Sequence, residues 1–203
     1  MKLHLYQFNY SFPFQSDPEW SSKVDRWYQL DAEAYGLTEL VWRIEEKPDL
    51  IFLASQEASN SSDRLFIESE MTSAVKFAHT LPNVRCSPFL QAKQWTMPVL
   101  CTQFGPKTFS SAVENAFGFL GSPYRRILIL NVCRSLPSNE SGTSRYSAYA
   151  LQIDDASQGG GEEISIADLG HNVFNGSDQK FIENVSKVLC KKEAFTLIEA
   201  PSL

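Results

Sequence analysis

The chain is 203 residues long, with 43% hydrophobic and 21% charged residues and a net charge of -6. That composition can bury enough apolar surface to offset the entropy of ordering a chain, which excludes wholesale disorder and suits one globular domain spanning residues 1–203. The acidic balance repels phosphate backbones and anionic lipid, and no apolar run approaches the roughly 20 residues a membrane helix needs, so neither nucleic acid nor membrane is expected as a partner.

The amino terminus, "MKLHLYQFNY", interrupts its apolar residues with His4, Gln7 and Asn9 where a secretory signal needs an unbroken apolar stretch, so the expected location is cytoplasmic. The Asn-x-Ser sequons at Asn9, Asn60, Asn139, Asn175 and Asn184 then read as by-products of serine-rich composition. Residues 2–10 form the first expected strand. Its period of two puts His4, Tyr6, Phe8, Tyr10, Phe12 and Phe14 on one face and Leu3 and Leu5 on the other. The aromatic stripe is expected to pack under helices, with its end from Tyr10 to Phe14 free to meet a partner, because aromatic rings dominate both cores and interface hot spots. Pro13 ends the ladder.

"SDPEWSSKVDRWYQL" predicts a helix opened by Asp17 and Pro18, with Trp20, Val24 and Trp27 on one face. Gly36 separates it from a second helix carrying Leu37, Leu40, Val41 and Ile44, which Pro48 stops. "DLIFLAS", 49–55, is a continuous apolar run and predicts a strand buried on both faces. A helix is expected from Asp63 to His79, with Ile67, Met71, Ala74, Val75 and Ala78 inward.

In "VRCSPFLQ" and "TMPVLCTQF" a proline permits only an edge or irregular strand. "TFSSAVENAFGFLGSP" gives the clearest helix, capped by Thr108 and stopped by Gly121. "RRILILNVC", "YSAYALQI" and "EEISIADL" predict three strands, followed by a helix over 178–191 and a closing strand "AFTLIEA". The fold class is therefore α/β or α+β: a mixed parallel and antiparallel sheet with about five helices packed on it.

Four cysteines, Cys86, Cys101, Cys133 and Cys190, contain no C-x-x-C pair, which excludes zinc-ribbon and thioredoxin readings. Cys101 and Cys133 each end an apolar run and are expected to be packing residues first. The catalytic alternative makes either one a nucleophile with His171 as base and Asp168 or Asn172 as its orienter, giving a thiol-dependent hydrolase or amidotransfer enzyme. No G-x-S-x-G elbow occurs, and "GFLGSPYRR" lies after a helix and before a strand, the reverse of a phosphate-binding loop.

Asp154, Asp155, Glu162, Glu163, Asp168 and His171 lack metal-ligand spacing, so no metal and no cofactor are expected. Arg125, Arg126, Arg134 and Arg145 make one segment locally basic. The leading expectation is a non-catalytic, acidic protein-binding domain, such as an inhibitor, a neutralising partner of a basic protein or a regulatory complex subunit. Its expected binding residues are Tyr10, Phe12, Phe14, Arg125, Arg126 and Arg134.

Overall fold

The computed structural model describes residues 1–12, 17–55, 66–72, 81–103, 105–135, 144–155, 164, 166–169, 174 and 176–198. Its centre is a six-stranded sheet made of β1 (Lys2–Phe12), β2 (Leu50–Ala54), β3 (Val99–Thr102), β4 (Arg126–Ser135), β5 (Ser144–Asp154) and β6 (Phe195–Ile198). The spatial order is β3-β2-β4-β5-β1-β6. β2 runs parallel to both β3 and β4, and β6 runs parallel to β1, while β5 is antiparallel to β4 and β1. This is a mixed sheet in an α/β fold.

Helices α1 (Ala32–Trp42) and α2 (Ser87–Lys93) cover one face, and α3 (Thr108–Phe119) and α4 (Asp178–Lys191) cover the other. Helical residues 66–68 make a fifth helical segment among the described residues. The period of two in each strand divides the core accordingly. Phe8, Tyr10, Ile51, Leu53, Leu128, Leu130, Ala148 and Ala150 meet Leu37, Leu40, Val41 and Phe89 on the α1 side. Leu3, Leu5, Phe52, Ile127, Ile129, Leu151 and Ile153 meet Phe109, Val113, Phe181 and Val185 on the α3 side. Each of the Val, Leu, Ile and Phe side chains among them contributes about 1.5–3 kcal/mol by leaving water.

The aromatic stripe of β1 thus belongs to the α1 face. Phe8 and Tyr10 are buried and stacked 5.1 Å apart, Tyr10 stacks on Tyr146 at 5.3 Å, and the Tyr10 hydroxyl donates to the Ala32 carbonyl at 2.8 Å. Gly36 lies inside α1 and does not separate two helices. A Cβ there would fall 2.1 Å from Tyr10 Oη, so the helix carries a glycine where the tyrosine ring presses against it. Ordinarily a mid-helix glycine costs about 1 kcal/mol against alanine. Here it is the condition for the contact.

Five further expectations are corrected. Residues 16–30 do not make one helix: the described part holds two short 3₁₀ turns, Ser21–Lys23 and Trp27–Gln29, separated by Arg26 in the left-handed region at φ 52°. Trp20 and Val24 are still buried, against Tyr35 of α1. A continuous helix over 63–79 is excluded by Glu70 and Met71, both at φ 56°, and Ile67 and Met71 are exposed. Residues 73–80, with Ala74, Val75, Ala78 and His79, lie outside the described residues.

"VRCSPFLQ" is helical, a 3₁₀ turn Pro82–Cys86 running into α2, because Pro88 occupies a first-turn position where its missing N–H has no partner to lose. "EEISIADL" supplies no strand among its described residues, which are Ile164 and a 3₁₀ turn, Ile166–Leu169. Thr108 is the first helical residue of α3 and donates back to the Gly105 carbonyl at 2.7 Å, so it does not cap the helix N–H groups. No helix among the described residues is long and apolar enough to cross a membrane.

Candidate functional site

The three parallel strands β2, β3 and β4 deliver their carboxyl ends to one rim of the sheet, the place where open α/β sheets hold ligands. Two buried polar clusters meet that rim, one on each face.

On the α3 face the centre is Asp178, fully buried at the start of α4. Its carboxylate accepts from Phe109 N at 2.7 Å and Ser110 N at 2.9 Å, the first-turn donors of α3, and lies 3.1 Å from the Ser110 hydroxyl. One negative charge therefore sits at the positive ends of two helix dipoles. Beside it, Asn131 donates to the Ala54 carbonyl at 2.8 Å, and the Cys133 thiol donates to Asn131 Oδ1 at 3.0 Å. Burial, joined by the Asp178 and Glu33 charges, pushes the Cys133 thiol up to about 12. A helix start that could lower a thiol's pKa is already filled by a carboxylate.

On the α1 face the centre is Arg85, in the turn before α2, with only 2% of its surface exposed. Its Nη1 donates to Ser55 Oγ at 2.9 Å and pairs with Glu33 at 2.5 Å, in the first turn of α1. Nε and Nη2 have no hydrogen-bond partner among the described residues. Cys101 sits one strand out, level with Leu53 and exposed. Partial loss of water raises its thiol pKa, and the Arg85 guanidinium offsets part of that rise. Cys86, next to Arg85 and buried, is raised far more by desolvation.

The two thiols proposed as nucleophiles thus stand on opposite faces of the sheet. Asp168 is exposed, 4.0 Å from Lys192 Nζ, and His171 and Asn172 lie outside the described residues. The expected binding residues are also separated. Arg134 pairs with Tyr146, which pairs with Tyr10, and Phe12 follows two pairs along the same rim. The side chain of Arg134 and all of Phe14 lie outside the described residues. Arg125 and Arg126 are at the other end of the sheet, about 30 Å away at roughly 3.3 Å per residue. There Arg126 is bound to Asp154 at 2.7 Å and Glu46 at 2.9 Å, while Arg125 is exposed.

Sequence reasoning missed Arg85, Glu33, Ser55 and Asp178 as partners. The one local signal was an arginine in "VRCSPF", flanked by Val84 and Cys86 and unaccompanied by other charges.

A third feature lies at the β3 edge of the sheet. Leu100 of β3 is in register with Phe52, and Phe119 packs edge-on against the same ring at 5.6 Å. Leu100 is 37% exposed and Phe119 is 44% exposed, so two apolar side chains flank an edge strand that has no outer neighbour among the described residues.

No protein-family model matches the sequence, and no curated protein matches it. Among solved structures the chain is similar in fold to a chain in the complex of the ketosynthase ApeO with its chain length factor ApeC from Xenorhabdus doucetiae, at 12% identity and a TM-score of 0.53. The match covers 64% of this chain and 60% of that one, so the chain spans less than two thirds of the length of the structure it resembles.

Proposed function

We propose that the chain is a non-catalytic protein-binding subunit of a complex, docking its partner along the β3 edge. The observation that carries this reading is the apolar pair Leu100 and Phe119 beside an edge strand with no outer neighbour among the described residues, a combination suited to strand addition. Two further facts support it. The similar solved chain belongs to a complex of two proteins. The thiols at the rim, Cys101 and Cys133, are both shifted away from the thiolate form. A net charge of -6 favours a partner whose docking face is basic, because long-range attraction speeds encounter.

Tagged at its natural expression level, the chain should migrate above its monomer mass with one stoichiometric second protein. Leu100→Glu combined with Phe119→Glu should return it to monomer mass, with unchanged circular dichroism. A wild-type chain that already runs as a monomer overturns the proposal, and a self-associated chain replaces the second protein with another copy. In the same sample, iodoacetamide should alkylate Cys133 more slowly than Cys101, each with an apparent pKa above the ordinary thiol value. A thiol titrating below about 8.5 and silenced by His171→Ala would establish the thiol-enzyme alternative instead.

A further inference from the structure

We propose that the Nε–Nη2 edge of Arg85 is a binding site for a two-oxygen anion, the carboxylate or phosphate group of a small molecule. The proposal is independent of the subunit reading, since it concerns the interior of the rim and not the β3 edge.

Arg85 has its Nη1 engaged by Ser55 and Glu33 and its Nε and Nη2 unengaged by any described residue, although 98% of the residue is out of water. Buried guanidinium N–H groups are ordinarily paired, because leaving them without an acceptor forfeits the full hydration they gave up. The unengaged atoms are also a matched pair. Nε–H and the facing Nη2–H point in parallel from one side of the planar group, the fork that receives two oxygens of a carboxylate or phosphate. The opposite side is fixed by Ser55 and Glu33, so the fork is held in one orientation before a ligand arrives. That is the preorganisation a specific anion site needs.

Its position agrees with the chemistry. Ser55 follows the last residue of β2 and accepts from Arg85, which places the guanidinium at the carboxyl ends of the parallel strands. Exposed Cys101 is close enough for the Arg85 charge to act on its thiol, which makes that thiol a reporter of the guanidinium's charge. Glu33 neutralises the guanidinium only from the Nη1 side and is itself partly exposed, so an incoming anion competes with it for charge but not for the same N–H groups.

The test is a titration of the full chain with sodium phosphate and, separately, sodium acetate at constant ionic strength set by chloride. Melting temperature and the alkylation rate of Cys101 are the two readouts. At least one anion should raise the melting temperature saturably and slow Cys101 alkylation about threefold, as the guanidinium charge that favours the thiolate is shared with the ligand. A response to acetate alone assigns a carboxylate and to phosphate alone a phosphate; a response to both assigns the shared fork. Arg85→Lys, which keeps the charge but has no fork, should lose the saturable response, and Arg125→Lys should keep it. Glu33→Gln removes the competing charge and should tighten binding severalfold, which decides the matter if Arg85→Lys does not fold. No saturable response beyond chloride, the same response in Arg85→Lys, or no tightening in Glu33→Gln would overturn the proposal.

Discussion

The two polar clusters at the rim of the sheet are built from similar parts and finished differently. On the α3 face, Asp178 is buried with a full set of donors, two backbone N–H groups and a hydroxyl. On the α1 face, Arg85 is almost as buried, and its Nε and Nη2 have no partner among the described residues. A buried charge whose partners are all internal ties elements of the fold together, here α3 to α4. A buried charge with donor atoms that no described residue fills marks a position where something from outside can complete it. The difference separates a structural cluster from a candidate site without reference to residue type.

Asp178→Ala gives the largest expected effect. It strands the first-turn N–H groups of α3 in the core and removes the anchor between two helices, a loss of about 3–5 kcal/mol by analogy with other broken buried charge networks. Arg85→Met removes donors that were already partly unpaired and leaves Glu33 with access to water, so it should cost no more than about 1–2 kcal/mol. Urea unfolding of both variants checks the order. Equal costs would mean that Arg85 is as structural as Asp178 and would dissolve the comparison.

Gly36→Ala comes next and sharpens the α1 side alone. The added Cβ collides with the Tyr10 ring, whose hydroxyl holds the Ala32 carbonyl one residue before Glu33. Overpacking of this kind costs about 1–3 kcal/mol. The displaced first turn of α1 should loosen the Glu33–Arg85 pair and leave the Asp178 cluster alone. A double-mutant cycle with Tyr10→Leu should show that the two substitutions are not additive, since the smaller residue removes the collision. Additive losses would place the strain elsewhere.

These same residues show what the sequence could reveal. The helices over 108–119 and 178–191 were legible because each buries one stripe of a locally set period, and the strands because their runs are short and either alternating or apolar throughout. The sheet's mixed character was legible from helices alternating with strands early and strands clustering late. Gly36 was misread because its reason is a ring on β1, 26 positions earlier in the chain. Arg26, Glu70 and Met71 broke expected helices through left-handed backbone that no residue type announces. Pro88 was misread because a proline serves an edge strand and a helix start equally well. The rim was the least legible part: Arg85 meets Ser55 across 30 positions and Asp178 meets Phe109 across 69. Composition and spacing singled out Cys101, Cys133 and His171, whereas the polar centres are made by long-range pairing that periodicity does not encode.

The smallest effect belongs to the opposite end of the sheet and serves as a control on both clusters. His4 on β1 hydrogen-bonds Thr196 of β6 at 2.8 Å and its ring lies tilted against Tyr6, centroids 4.4 Å apart. Its pKa is lowered by desolvation, which outweighs the nearby Asp154 and Glu46 charges. A base with a depressed folded pKa binds fewer protons folded than unfolded at acid pH. Stability should therefore fall as pH drops below about 6.5, the ordinary imidazole value, and level off beneath the folded pKa. His4→Gln keeps a polar group for Thr196 and should flatten that part of the stability curve between pH 7 and 5. Arg85→Met should leave it unchanged, because the two ends of the sheet share no partners. An altered slope in Arg85→Met would show that protonation at the rim, and not at His4, governs the acid limb, with Glu33 as the group to examine.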